Sequence, residues 1–301
     1  GEIHASARGA ALEDSRFVRE AVLGRLAGMD ERAVWMQAYG AWGTFDGDGN
    51  AADVKRRIGG VFLGIDVVRT EGFTAGLVTG VAGGTVQVRE RSSGANTEDA
   101  HLGAYAAFGS GGFGARVGLA QMWRKVDSRR RAEFTGFSQF LTARYDQELF
   151  QAFAEIGYQA QLNGWTLEPF GSAAWVKVKT KDIRESGGSA ALSSSGASDD
   201  YWITQLGARA SVNVGANASL TGSAAWRHLG GDDRTTPVPL AFASGPGFTV
   251  LGAPMASDAA ALGLSLTGRI APNAEVDVGY SGVVGNRISD HGGRASLRIR
   301  F

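Results

Sequence analysis

The sequence predicts an all-β membrane protein, a twelve-stranded antiparallel transmembrane β-barrel preceded by one α-helix. Three observations lead there. Hydrophobicity alternates with a period of two from Ala33 to the C-terminus, the strands run to about ten residues or more, and their connections alternate between tight and long.

The composition fits that class. Glycine makes up 45 of 301 residues, roughly twice its usual share, while proline is only 6. Disordered linkers raise both together, so this mix points to long strands, tight turns and small residues on a crowded inner wall. Thirty basic residues balance thirty acidic ones, which removes any general electrostatic case for nucleic acid. Cysteine is absent, so disulfides, thiolate metal sites and a catalytic thiol are excluded. No window approaches ~18 consecutive apolar residues, so no transmembrane helix is expected. The opening GEIHASARGA has no charged leader before an apolar core, so any secretion signal is expected further upstream.

The first element is helical. Ala11 to Gly28 is rich in helix formers and ends on glycine, with Phe17, Val18, Ala21, Val22 and Leu26 at helical spacing among Arg16, Arg19, Glu20 and Arg25. The surface is mixed and carries no broad apolar stripe. At ~1.5 Å per residue the segment spans roughly 27 Å, close to a bilayer core.

The strands follow. Alternation selects 33–43, 57–70, 73–88, 98–109, 113–127, 137–146, 149–161, 165–179, 200–212, 217–228, 257–270, 273–284 and 291–301. The boundary at Asp146-Gln147-Glu148 has neither Gly nor Pro, and Gln139, Gln147, Gln151, Glu155 and Gln159 keep one parity through it. Residues 139–160 therefore read as one long strand whose outer part stands above the membrane, which leaves an even twelve. RTEG, GSGG, LNG, VGAN and APN are tight turns. The connections near 44–56, 89–97, 128–136, 180–199, 229–256 and 285–290 read as mostly longer. Val61, Leu63, Ile65 and Val67 oppose Gly60, Gly64 and Asp66; Leu206, Ala208 and Ala210 oppose Gln205, Gly207 and Arg209; Ala295, Leu297, Ile299 and Phe301 oppose Arg294, Ser296, Arg298 and Arg300. Glycine and full charges on the polar face suit a wet interior. Asp66, His101, Glu155, Arg209, Asp258 and Arg298 are the charged lumen-facing candidates, either as wall ion pairs or as a grip on the helix.

Reaction chemistry is poorly supported. GSGGFG lies in a strand-to-strand turn with no helix after it, so it is not a dinucleotide loop. DGDGN begins like a calcium loop but lacks the glycine and glutamate at the sixth and twelfth positions. His4, His101, His228 and His291 show no metal-ligand spacing. No G-x-S-x-G or S-x-x-K motif occurs. No catalytic, cofactor-binding or metal residues are expected.

The segments GEIHAS, LEDSRFVREAVLGRL, AWGTFDGDG, RRIGGVFLGID, HLGAYAAFGSGGFGARVGLAQMWRKVDSRR, FQAFAEIGYQ, LEPFGSAAWVKV, ESGGSAAL, QLGARAS and AAWRHLGG, taken jointly, resemble the translocator domain of autotransporters. These are the type V secretion proteins, here of the pertactin and serum-resistance kind. The resemblance spans essentially the whole chain and ends on an aromatic residue, Phe301. It implies a linker and pore-threading helix in residues 1–32, with Phe17, Val18, Arg19, Val22 and Leu26 on the helix, and a barrel in 33–301. It also implies insertion in the bacterial outer membrane and export of a passenger fused upstream, with Leu297, Ile299 and Phe301 as the insertion signal. The implied partners are that passenger, outer-membrane lipids, the barrel insertion machinery and periplasmic chaperones, with the barrel a monomer that needs no cofactor. With no phosphate-binding loop, ATP is not the expected energy source. Some relatives of this type cut the passenger at an Asn in the pore helix. The first Asn here is Asn50, so a cut elsewhere, or one just before Gly1, is expected. The alternatives are a small porin, or a barrel serving as surface enzyme or adhesin.

Geometry independently supports threading. Twelve strands ~4.8 Å apart and tilted ~40° close at a diameter of roughly 24 Å, and about 12 Å remains inside the side chains. A helix is ~10–12 Å across. The expected wall around it is polar on all sides.

Overall fold

Alternation of this length can bury one face of a sheet only if the sheet closes on itself, because an open edge would leave a strand's amides without partners in a bilayer. The computed structural model, which describes residues 1–26 and 33–301, shows that closure. Twelve long antiparallel strands pair with their sequence neighbours, and the last pairs with the first from Ala33↔Arg300 to Phe45↔Ile288. They are β1 Ala33–Phe45, β2 Val54–Thr70, β3 Phe73–Val88, β4 Ser93–Ser110, β5 Phe113–Phe134, β6 Phe137–Tyr158, β7 Trp165–Thr180, β8 Ala197–Val214, β9 Ala218–Gly231, β10 Asp258–Ala271, β11 Ala274–Gly285 and β12 Ile288–Arg300. The two segments expected at 137–146 and 149–161 are one strand of 22 residues.

The helix departs from expectation in length. It starts at Glu2, not Ala11, as α1 Glu2–Asp14 followed by α2 Arg16–Leu26. Ser15 between them keeps αR angles, and its N–H donates to the Ala11 carbonyl at 3.2 Å, so the rod continues. At ~1.5 Å per residue it is roughly 37 Å long. His4, Ser6 and Gly9 have modest helix propensity, and the enclosure of α1 rather than local preference makes it helical. The predicted C-terminal stop at Gly28 lies outside the described residues.

The loops also differ. Three connections expected to be long are short: Asn286 and Arg287 join β11 to β12, Thr135 and Gly136 join β5 to β6, and a single 3₁₀ turn, Arg89–Arg91, leads into β4. In the β5–β6 hairpin the residues taken for loop extend the strands, which pair out to Phe134↔Phe137. The length asymmetry is carried by 46–53, 181–196 and 232–257. The last two contribute Ile183–Arg184, Leu192–Ser194, Val238–Phe242 and Gly247–Val250, a small antiparallel sheet over one mouth of the barrel. The opposite rim carries tight turns, including the left-handed glycines Gly72, Gly111, Gly112 and Gly215.

The outer wall is an apolar band between two aromatic girdles, the arrangement of a lipid-facing barrel. Trp42, Trp123, Trp202 and Trp226 stand exposed toward the long-loop rim, and Phe108, Phe113, Tyr158 and Trp165 toward the short-turn rim. Between them lie Leu63, Val81, Leu119, Leu206 and Leu264, all exposed to the outside. Leu264→Arg is expected to cost about 2–4 kcal/mol in urea unfolding from lipid vesicles. Ser265→Arg, which points inward from the next position, is expected to cost far less, and equal losses would contradict the assignment of faces.

Candidate functional site

The pore and the helix inside it form the site. Each helix residue from Ile3 to Val18 is buried, and α2 stays buried except at Glu20 and Gly24. A helix in that position must pair its charges, because an unpaired ion out of bulk water is expensive. Glu2, Glu13 and Asp14 meet wall arginines, and Arg8, Arg16 and Arg25 meet wall acids.

At the long-loop mouth, Glu2 accepts from Arg91 at 2.9 Å, and His4 lies 2.9 Å from Glu185 and 3.1 Å from the Tyr145 hydroxyl. Arg8 pairs with Asp199 and donates to Thr180 Oγ1 at 2.8 Å. The small loop sheet closes over this end: Thr236 donates to the Ala5 carbonyl at 2.9 Å, and a Cβ on Gly1 would be only 3.1 Å from Leu192 Cδ1.

The densest network lies midway. Asp14 bridges Arg56 and Arg124, and Arg124 also holds Asp99 at 2.6 Å. Asp290 on β12 accepts from Arg16 of the helix and Arg56 of β2. Glu13 receives Arg227 at 2.9 Å. Arg19 donates to Gln151 at 2.7 Å, and Gln151 donates back to the Ser15 carbonyl at 2.9 Å. Near the short-turn rim Arg25 pairs with Asp66, which also accepts from Tyr105 at 2.8 Å.

The wall is not polar on all sides, contrary to expectation. Phe17 stacks on Tyr39 with centroids 4.7 Å apart, and Tyr39 stacks on Phe62 at 5.1 Å. Trp35, Met122 and Leu149 also face in. Gly64 makes room for this lining, because a Cβ there would strike the Trp35 indole. The helix lies against this apolar side. Across from α2 a cavity of ≈ 470 Å³ remains, walled by hydroxyls such as Ser211, Ser223, Ser265 and Ser281.

The predicted residues divide into groups. Phe17, Val18, Arg19, Val22 and Leu26 are buried on α2, and Asp66 is the one predicted wall acid that meets the helix. Glu155 binds Arg116 at 2.5 Å and Arg209 at 2.6 Å, with Glu168 completing a wall-to-wall cluster. Arg298 pairs with Glu275 on the neighbouring strand. His101 packs edge-on against Phe62, 5.2 Å between centroids. Leu297, Ile299 and Phe301 lie on the outward row near the short-turn rim. Asp258 is a correction: it faces outward, accepting from His228 and Trp226 at 2.9 and 3.0 Å, because β10 turns Ala259, not Asp258, into the lumen. Arg56 and Asp290, which sequence reasoning missed, share the inward parity of Asp66 and Arg298. They fell one step outside strands begun too late at 57 and 291.

A family model described as Autotransporter beta-domain matches residues 34–281. A protein named Extracellular serine protease, from Serratia marcescens, is 27% identical over 315 aligned residues covering 100% of this chain. The chain spans 30% of the length of that relative. The solved translocator domain of autotransporter NalP from Neisseria meningitidis superposes with a TM-score of 0.80 at 18% identity, over 100% of this chain and 99% of the other. The transport unit of autotransporter AIDA-I from Escherichia coli gives 0.67 at 16%, over 94% and 97%.

Two outcomes follow from the pore contacts. Asp14→Ala leaves Arg56 and Arg124 each short of a partner, and is expected to destabilise the barrel by about 3–5 kcal/mol, less where lumen water reaches them. Glu20→Ala, on the cavity side, is expected to be nearly neutral in the same melt. At the mouth, burial favours the protonated Glu185 carboxyl, but hydrogen bonds from His4 and Arg130 outweigh it and hold the group down to about 2 from an ordinary 4.5. A depressed carboxyl stabilises above its unfolded value and loses that contribution as pH falls toward its folded one. Amide-exchange protection of residues 183–194 should therefore hold at pH 6 and fall between pH 4.5 and 2, whereas Glu185→Gln should be weakly protected throughout. Unchanged wild-type protection at pH 3 would contradict a stabilising role for the Glu185 contacts.

Proposed function

The chain belongs to the autotransporter β-domain family, and from that premise we propose that residues 1–32 act as the plug closing the pore after export, with residues 33–301 as the barrel that holds it. An autotransporter β-domain is an outer-membrane translocator barrel fused to a passenger, and the barrel is not the catalytic part. The described residues form the helix, the barrel and its loops.

The observation that carries the proposal is the direction of the helix. Its N-terminal end lies under the long loops and its C-terminal end runs toward the rim where β1 begins. Long loops mark the cell exterior in barrels of this kind. A passenger joined ahead of residue 1 is therefore outside the cell once the helix is seated. A lumen of about 12 Å holds one helix and little else, so the passenger must move before α1 and α2 take their final position. The helix then docks through alternating ion pairs and the Phe17–Tyr39–Phe62 stack, which exist only when it is fully inserted. In this reading docking closes the pore and makes the last step hard to reverse, with no nucleotide spent.

The partners we assign are the passenger upstream, outer-membrane lipids, periplasmic chaperones and the barrel insertion machinery, which reads Leu297, Ile299 and Phe301. The barrel works as a monomer, since its own first and last strands satisfy each other's edges.

Planar-bilayer conductance tests the plug. The intact chain should conduct poorly, because the helix fills the pore and every residue from Ile3 to Val18 is buried there. Deleting residues 1–30 should give a much larger, steadier conductance while the heat-modifiable barrel persists. An unchanged trace from the folded deletion variant would overturn the plug.

A further inference from the structure

On the outer wall the two sides of the extracellular girdle are built differently. From β4 to β8 the outward charges above the tryptophans include opposite-sign pairs: Lys181–Glu148 at 2.7 Å, Arg144–Asp127 at 2.8 Å and Lys177–Asp200 at 3.6 Å. From β11 through β12 and β1 to β3 no strand carboxylate faces outward among the described residues. Glu275, Asp277, Asp290 and Asp66 all lie on the inward parity. The outward charges here are Lys55 and Arg57 of β2, both exposed, with no carboxylate paired to either among the described residues. The nearest acid along the chain, Asp53, accepts from the Gly47 N–H at 2.8 Å.

Register arranges these cations against the girdle. Arg57 is directly opposite Trp42, and Trp42 is directly opposite His291, so the three form one row across β2, β1 and β12. Lys55 stands one pleat further out, roughly 7 Å along the strand. The imidazole is held from both sides: the Tyr280 hydroxyl lies 2.7 Å from Nδ1 and the Ser289 hydroxyl 3.1 Å from Nε2. Trp42 tilts over it with centroids 6.3 Å apart. Below this row the outward residues are apolar, as Leu63, Ile65 and Met36 show. The cations therefore stand where acyl chains end and head groups begin.

We propose that this row is a binding site for a phosphate-bearing lipid of the outer leaflet. Arg57 and Lys55 would receive the phosphate, and Trp42 with the fixed imidazole of His291 and the hydroxyl of Ser289 would face the sugar or glycerol beside it. The proposal rests on the outer-membrane location and is independent of the plug. A lipid phosphate is the occupant that fits, because two cations without carboxylate partners stand beside an aromatic ledge at the depth of the lipid head groups.

The test uses the full chain, folded in detergent, with bisphosphorylated lipid A as probe and native mass spectrometry as readout. Heat-modifiable mobility establishes that each variant is folded. Wild-type barrel should carry one lipid A, and Lys55→Ala/Arg57→Ala should weaken binding at least about tenfold. Lys177→Ala/Lys179→Ala, across the barrel, should bind like wild type. Dephosphorylated lipid A should bind wild type as weakly as the double variant binds the phosphorylated form. Equal binding by wild type and the Lys55/Arg57 variant, or by phosphorylated and dephosphorylated lipid, would overturn the site. So would retention of inorganic phosphate without lipid, or a second copy of the chain in place of the lipid.

Discussion

Everything inside this barrel depends on the requirement that a charge in a narrow, nearly filled pore be paired. A lumen of about 12 Å around a helix of ~10–12 Å leaves too little water to solvate a guanidinium. The wall therefore answers most of the helix charges with opposite ones, Asp199, Asp290 and Asp66 for Arg8, Arg16 and Arg25, and Arg91, Arg227, Arg56 and Arg124 for Glu2, Glu13 and Asp14, while Arg19 meets the amide of Gln151. The pairs fix both the depth and the rotation of the helix, because a shift of one residue would carry Arg8, Arg16 and Arg25 away from Asp199, Asp290 and Asp66. Since strands from all round the barrel supply these partners, the seated helix also ties the wall together.

The pairing is not symmetric about the pore axis. Tyr39, Phe62 and Trp35 give the helix an apolar half-wall, and Phe17 uses it. The opposite half carries serines and leaves a cavity beside α2. An ion network alone would be weakened by any water that entered. Apolar contact on one side excludes that water from the central pairs, and the cavity confines it to the other side, where the half-buried Glu20 and the exposed Gly24 stand. The same asymmetry accounts for Glu155 and Arg209. They flank the cavity rather than the helix, so they satisfy one another and Arg116 across the wall.

The outer wall repeats this logic with lipid as the surroundings. Apolar residues fill the band between two aromatic rows, and charges begin at the girdle itself, where Arg57 stands opposite Trp42. There, one arc holds opposite-sign pairs such as Lys181–Glu148 and Arg144–Asp127, and the other presents Lys55 and Arg57 with no carboxylate paired to either among the described residues. The barrel thus has a chemically distinct front and back even though its strands form one continuous ring.

The strands, their even number, the faces they present and the presence of a helix were all legible in the sequence. A period of two over ten or more residues has few physical solutions, and parity assigns a face to each residue once the strand is recognised. The merging of 139–160 shows how far parity reaches. Where a strand begins is less well encoded: Arg56 and Asp290 were missed by a single position, and Asp258 was turned to the wrong face. The tertiary structure alone decided that residues 2–10 are helical, that the β5–β6 extension is strand, and which charge meets which. Each of these depends on partners far away in the chain, Glu2 with Arg91 or Arg16 with Asp290. Local propensity carries no record of such partners; closure of the barrel around the helix creates them.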